Sequence, residues 1–290
     1  MDYREIWDAK GIEYQLDVPG ATLSTFRAGG NVALVAYPKD EAQLKVVVDS
    51  LKGQRYHLFG LGSNTLVSDQ GLQVVVCTKH LVGCTVEGER IVAYAGEPLP
   101  TVCRLALEHG LSGAEWMTGI PGSIGGAVKM NAGAYGHGMA DIAEEALILE
   151  DGALKTYTAK DLKFGYRTSA VKGIVVKVTM RLAPKDREAI RSTMEQIKMT
   201  RARTQPFEPS LGSVFKADQG RPAAPYIQAS GMKGVKIGQA KVSGLHCNFI
   251  INQGGATARD YLRLADNIQT KVYEACGIRL EREFVLATDE

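Results

Sequence analysis

Apolar positions recur with two periods along the chain, and the switches between them lay out its elements. Residues 1–20 predict an amphipathic helix and a lead-in, and residues 31–38 (NVALVAYP) a strand closed by Pro38. In residues 40–51, Leu44, Val47, Val48 and Leu51 fall at helical spacing, with Asp40 as candidate cap and Gly53 as the stop. YHLFGLG comes next as a second strand, and strand, helix, strand makes a βαβ unit. LQVVVCT is another strand, and residues 83–96 alternate about Glu87-Gly88 as a hairpin. Residues 99–109 form a helix with Val102, Cys103, Leu105 and Ala106 inward, stopped by Gly110. LILEDGALKTY predicts a hairpin around Asp151-Gly152, and IVVKVTMRLAP a strand closed by Pro184. A polar, charged helix over 185–203 then serves as a linker between lobes. Beyond it come a short helix at 226–230 and the clearest helix of the chain, 257–276. Its face carries Tyr261, Leu264, Ala265, Ile268, Val272 and Cys276, Thr257 caps it and Gly277 ends it. IRLEREFVLA closes the chain as a strand.

One stretch fits neither period. Residues 113–138 (GAEWMTGIPGSIGGAVKMNAGAYGHG) hold eight glycines in 26 positions, against 32 in 290 overall. Glycine lets the backbone take positive φ and come up against a ligand, at a cost in folding entropy that needs a compensating use. Surface loops are rich in Ser, Asp, Lys and Pro, whereas this stretch interleaves Trp116, Met117, Ile120, Ile124, Val128 and Met130. It therefore packs, and it reads as a backbone cradle for phosphates, with a dinucleotide diphosphate as the leading ligand. A shorter glycine turn at 60–69 (GLGSNTLVSD) mimics a Rossmann fingerprint. Thr65 holds the third glycine position and VSDQG runs on into a strand rather than a helix, so the fingerprint is rejected. Alone this turn is as well read as a strand end; paired with the later stretch it forms half of a two-sided clamp.

Composition narrows the class. The length predicts two domains, and 45% hydrophobic with 23% charged residues is ordinary for a globular protein. A net charge of +2 gives no dedicated polyanion surface, no apolar run reaches a membrane span, and MDYREIWDAKG has no signal-peptide core. Five scattered cysteines without a CxxC or zinc spacing fit reduced thiols in a cytoplasmic protein. His246 beside Cys247 reads as structural rather than as a metal site. Three polar residues stand in apolar or glycine contexts: Arg167 before a strand, Ser213 in the Leu-Gly-Ser-Val-Phe turn, and Glu283 on the final alternating run. Each alone reads more readily as a solvated charge or a simple turn, and spacing does not show that they converge.

The blocks TFRAGG (25–30), GLGSNTLVSDQG (60–71), GIPGSIGGAVKMNAGAYG (119–136), YRTSAVKG (166–173), TQPFEPSLGSVFK (204–216), HCNFIIN (246–252) and LEREF (280–284) share order and spacing with one family. In these the chain resembles the UDP-N-acetylenolpyruvoylglucosamine reductases, the MurB flavoproteins of peptidoglycan synthesis. The resemblance implies an α+β fold. A two-lobed FAD-binding domain of the vanillyl-alcohol-oxidase (PCMH) type at 1–185, with lobes about 1–78 and 79–185, is followed by a smaller α/β substrate-binding domain at 186–290. It implies FAD held by Gly60, Gly62, Ser63, Asn64 and Thr65 on one side. Gly119, Pro121, Gly122, Ser123, Gly125, Gly126, Ala127, Asn131 and Gly133 hold it on the other. NADPH reduces the flavin, which then reduces the enolpyruvyl group of the sugar nucleotide. Arg167 and Glu283 are implied to steady the charge that develops on the substrate carboxylate, with a raised pKa at Glu283, and Ser213 to deliver a proton to the α-carbon.

Two departures go with the resemblance. Only 46 residues separate Arg167 from Ser213, which leaves no room for the Tyr-bearing insertion of one branch of the family. Ala217 stands where the family usually has Asn, ahead of an atypical ADQGRPAAPYIQ, so the substrate diphosphate contacts stay open among Tyr166, Arg203, Lys216 and Arg221. No metal is expected, and a monomer is. Two other readings compete: a flavin oxidase of the same fold, for which His137 is the sole covalent-flavin candidate, and a non-catalytic flavin-binding module.

Overall fold

The computed structural model describes residues 3–218 and 220–290. The expected first helix thus lies outside the described residues at Met1 and Asp2, as does Gln219 of the atypical run. The chain divides into two compact units. The first comprises Met1–Gln15, Val35–Leu61 and Val75–Arg201; the second comprises Leu16–Leu34, Gly62–Val74 and Ala202–Glu290.

The first unit is built on a five-stranded antiparallel sheet in the order Ala153–Thr158, Ala143–Glu150, Ile174–Arg181, Arg90–Tyr94, Cys84–Glu87. Its hairpin turns are the two read from sequence. Asp151 (φ 53°) and Gly152 (φ 75°) supply the paired left-handed residues that a two-residue hairpin matching the strand twist requires. Ile174–Arg181 lies in the middle, is buried on nearly every position, and carries the short helix Ile124–Lys129 against it. A four-stranded sheet has the order Glu13–Pro19, Asn31–Tyr37, Leu72–Cys77, His57–Phe59. Leu72–Cys77 therefore lies between the two strands of the predicted βαβ unit, and His57–Phe59 runs parallel to it with Phe59 opposite Cys77. The connecting helix Glu41–Ser50 is capped as expected: the Asp40 carboxylate accepts the Gln43 N–H at 2.8 Å. The first helix, Tyr3–Ala9, buries Trp7 completely and hands its indole N–H to Ser50 Oγ at 2.8 Å. Its lead-in is the strand Glu13–Pro19.

The second unit packs two helices, Ala223–Ala229 and Ala258–Cys276, with a three-stranded sheet of Lys236–Ile237, Ala240–Val242 and Ile250–Asn252. The long helix buries Tyr261, Leu264, Ala265, Ile268 and Val272 and ends at Gly277 in the left-handed conformation. Its first two N–H groups are also capped from outside, since both Asp69 carboxylate oxygens accept from Ala258 and Arg259 at 2.8 Å. Segments 16–34 and 62–74 thus complete the core of this unit, where Phe26, Ala28 and Leu66 join the helix residues. The expected long terminal strand is shorter: only Val285–Ala287 is extended, parallel to Thr65–Val67, while Phe215 and Arg282 make a single bridge.

Candidate functional site

The organising stretch is not one loop. It contains a 3-10 turn Glu115–Met117, the helix Ile124–Lys129 and a two-residue hairpin joining Gly133–Ala134 to His137–Gly138. Sequence reading missed the helix because Gly125 and Gly126 carry the poorest helix propensity short of proline. Tertiary bonds override that preference. The Ser123 hydroxyl caps the turn toward the Gly126 N–H at 3.4 Å, Ile124 N–H donates to Glu97 C=O at 2.9 Å, and Gly125 N–H to Ala95 C=O at 2.8 Å. Leu99 N–H returns a bond to Gly122 C=O at 2.9 Å. The first donors of this turn thus pin it to segment 95–97.

Each glycine can then be assigned a reason. A Cβ on Gly125 would lie 2.8 Å from Ala95 Cβ, and one on Gly60 would lie 2.4 Å from Ser123 Oγ. The two glycine segments therefore touch: the end of strand His57–Phe59 abuts the start of helix Ile124–Lys129, as a clamp requires. Gly133 is fixed by its own hairpin, 2.5 Å from the His137 carbonyl. Gly126 is different. It is exposed, and a Cβ there would meet nothing closer than Ser123 Oγ at 3.5 Å. A glycine in a helix that no neighbour demands leaves bare backbone facing outward, which suits a bound diphosphate. Gly119 (φ 72°) and Pro121 are also exposed, Gly122 is half-buried, and Ala127 is buried beneath them. The residues present fit a nucleotide cofactor laid across this turn.

Asn131 does something other than meet a ligand with its side chain. Its amide donates to Gly165 C=O at 2.9 Å and its carbonyl oxygen accepts the Ala140 N–H at 3.0 Å. The first bond braces the turn 165–168, in which Gly165 and Thr168 exchange N–H···O=C bonds at 3.0 and 3.3 Å, and the second ties Asn131 to the start of helix Met139–Ile142. Arg167 sits in that turn at φ 55°, stacks on the exposed Tyr166 ring at 5.0 Å, and reaches the Gly133 carbonyl at 3.4 Å.

In the second unit, Gly62 (φ 65°) is dictated by packing, since its Cβ would fall 1.8 Å from the Leu23 carbonyl. Ser63 and Thr65 are half-buried around it, with Thr65 opening the strand beside Val285. The Asn64 amide donates to the Glu283 carbonyl at 3.1 Å, and Val285 N–H donates to the Asn64 carbonyl at 2.9 Å. Glu283 N–H in turn donates to Val214 C=O at 2.8 Å, and Lys216 N–H to Glu281 C=O at 2.9 Å. The Ser213 turn, Glu283 and the 62–64 turn are thereby linked through three backbone segments drawn from distant parts of the chain. Neither composition nor spacing foretold that link. Arg167 belongs to the other unit.

The basic candidates for the substrate phosphates differ in their surroundings. Lys216 Nζ pairs with Glu281 at 2.5 Å, Arg221 folds back onto Asp218 at 2.5 Å, and Arg203 is exposed at the end of helix Arg187–Thr204. Burial pushes the His246 pKa below its ordinary value. The thiols are free, and burial raises those of Cys77, Cys103 and Cys247. Among the described residues no cluster of three His, Cys, Asp or Glu is placed to hold a metal, and no helix is long and apolar enough to cross a membrane.

An antiparallel sheet with a glycine-clamped cofactor turn, followed by a helical unit carrying polar chemistry, defines a protein of the FAD-binding oxidoreductase fold. The family model described as "FAD binding domain" matches residues 32–157, and that described as "UDP-N-acetylenolpyruvoylglucosamine reductase, C-terminal domain" matches residues 205–287. The chain belongs to the UDP-N-acetylenolpyruvoylglucosamine reductase (MurB) family. The enzyme of that name from Streptococcus pneumoniae (strain 70585) is 40% identical over 283 residues, covering 94% of each chain. The one from Clostridium botulinum (strain Hall) is 38% identical, covering 95% of this chain and 92% of the other. The crystal structure of MurB from Thermus caldophilus superposes with a TM-score of 0.84 at 33% identity, over 96% of this chain and 99% of that one. A berberine bridge enzyme variant shares the fold alone, with a TM-score of 0.53 at 15% identity over 64% of this chain and 44% of its own.

Proposed function

We propose that this chain is an FAD- and NADPH-dependent reductase that converts the enolpyruvyl group of UDP-N-acetylglucosamine enolpyruvate to the lactyl group of UDP-N-acetylmuramate. The observation that carries the reading is the link from Ser213 through Val214 C=O to Glu283, and from Glu283 C=O to the Asn64 turn. Bound FAD supplies a two-electron carrier between NADPH and the enolpyruvyl methylene carbon. The turn of Gly60, Ser123 and Gly126 would hold its diphosphate. As the double bond takes up hydride, negative charge gathers on the substrate carboxylate. Arg167 and Glu283 are the groups we assign to steadying that charge, a preorganised donor there being worth about 3 kcal/mol. Ser213 gives its hydroxyl proton to the α-carbon and recovers one from solvent, so the double bond gains one hydride and one proton. A hydroxyl is a weak acid at neutral pH, but the enolate-like carbon is a strong base, and close geometry makes the transfer favourable.

FAD binding falls to residues 1–185 and the sugar nucleotide to 186–290. Tyr166, Arg203, Lys216 and Arg221 supply its anionic contacts. Lys216 and Arg221 would exchange Glu281 and Asp218 for phosphate. The enzyme acts in the cytoplasm as a monomer. The test is optical. Under exclusion of air, NADPH should bleach the visible flavin band of the purified protein, and the enolpyruvyl nucleotide should restore it. A band that NADPH cannot bleach would indicate a non-catalytic module; a band restored by oxygen and not by the nucleotide would indicate an oxidase.

A further inference from the structure

The Ser213 turn is gripped from the side opposite Glu283 by a residue that sequence reading left without a role. Asn248 is buried in an otherwise apolar run, Phe249, Ile250 and Ile251. Its side chain behaves as a miniature strand edge. Oδ1 accepts the Phe215 N–H at 3.0 Å, and Nδ2 donates to the Phe215 C=O at 2.8 Å. Its own carbonyl accepts the Val214 N–H at 2.9 Å. Residues 214–216 therefore lie between two partners. Asn248 satisfies one edge, and Glu281 and Glu283 satisfy the other through Lys216 N–H and Val214 C=O. Gly212 (φ 75°), before Ser213, allows the sharp entry, so residues 214–216 set the register of the serine. The buried Phe215 side chain completes the lock.

We propose that Asn248 is a positioning residue for proton delivery by Ser213: its bidentate bond to the Phe215 backbone fixes the serine hydroxyl in register with Glu283. The inference rests on the reductase reading above. Asn252 is an internal control. It is equally buried and its side chain forms four bonds, to the carbonyls of Phe26 and Arg27 and the N–H groups of Gly254 and Ala256, none of them on residues 212–216; its backbone N–H donates to Pro209 C=O, which N252A leaves in place.

The experiment compares wild type, N248A, N248D and N252A by anaerobic stopped-flow and by amide hydrogen exchange of the FAD-bound enzyme. In N248A, flavin reduction by NADPH should stay within about twofold, while reoxidation by the enolpyruvyl nucleotide slows by about 100-fold, the scale of a misplacement near 1 Å. The nucleotide's Kd for the oxidised enzyme, read from the flavin spectrum, should not change. Exchange should rise at Val214–Lys216 in N248A and not in N252A. N248D keeps the Oδ1 acceptor but sets a carboxylate oxygen against the Phe215 carbonyl. Its reoxidation rate should recover as pH falls and the acid regains a donor, a limb additional to any that the wild type shows through Glu283, and it carries the test if N248A does not fold. Equal slowing of both half-reactions, N252A matching N248A in selectivity, or an N248D profile without the acid limb would overturn the proposal. If the wild-type reduced flavin ignores the nucleotide, the reductase reading fails instead, and the exchange data alone then judge the clamp.

Discussion

Arg167 occupies backbone that an arginine avoids. At φ 55° its Cβ crowds the adjoining carbonyl, at a cost of about 1–2 kcal/mol. What holds it there is the 165–168 turn, braced by the Asn131 amide on Gly165, the Ser169 hydroxyl on Lys129 C=O at 2.9 Å, and the Lys129 ammonium on Val171 C=O. Glycine would adopt this φ without strain, so a charged side chain here reflects chemistry rather than folding. Two substitutions separate the effects. Both Arg167→Ala and Arg167→Gly lose the stack on Tyr166 and the long contact to Gly133, but only glycine also sheds the strain. Glycine gains back about 1–2 kcal/mol of strain and gives up about 0.5–1 kcal/mol to greater freedom of the unfolded chain, so R167G should be the more stable by about 1 kcal/mol. For a chain of this size that is about 2–3 °C in thermal midpoint. Both should reoxidise reduced flavin with the enolpyruvyl nucleotide about 100- to 1000-fold more slowly than wild type, the cost of losing one fixed donor to developing charge. Differential scanning calorimetry and anaerobic stopped-flow on the same preparations give both numbers. R167A as stable as R167G would refute the strain argument. Wild-type reoxidation in either variant would remove Arg167 from the reaction.

Tyr261 hides its hydroxyl without a hydrogen-bond partner, between Phe26 at 4.8 Å and Phe284 at 4.9 Å, so Tyr261→Phe should stabilise the protein by about 1 kcal/mol, measured by denaturant titration. Gly126→Ala fits the space above Ser123 and improves helix propensity by about 1 kcal/mol, yet on the proposed reading it should weaken FAD binding in an apoprotein titration, because the methyl would stand on the face assigned to the cofactor. Burial holds the His246 pKa below its ordinary 6.5, and its Nδ1 accepts the Asn248 N–H at 3.3 Å. The neutral imidazole's contribution is complete above that ordinary value and is lost as pH falls through the depressed one. Denaturant midpoints should therefore drop on acidification, and His246→Gln should flatten that part of the pH profile.

The parts of this protein legible in its sequence are those governed by local rules. Asp40 and Thr257 cap their helices, Gly110 and Gly277 end theirs, and Asp151-Gly152 turns its hairpin, because each acts within a few residues. The helix at 124–129 escaped because its glycines argue against it, and the Ala95 and Glu97 carbonyls that hold it are some 30 residues away. The glycine count itself mixed causes. Gly62, Gly125 and Gly133 answer to close neighbours, whereas at Gly126 no neighbour crowds an added Cβ. Family resemblance singled out Ser213 and Glu283. The bond that joins Glu283 to Val214, the residue after Ser213, spans about 70 residues, a separation at which no periodicity carries information. Asn248 lay within a recognised block; a buried amide in an apolar run, just ahead of the strand Ile250–Asn252, was the signal to pursue.

Ser213, on this reading, completes the reduction and takes no part in charging the flavin. Anaerobic single-turnover absorbance on Ser213→Ala measures that division of labour. NADPH should bleach the variant's flavin at the wild-type rate, and the enolpyruvyl nucleotide should then fail to restore the colour. Restoration at the wild-type rate, or a flavin that NADPH no longer bleaches, would contradict it.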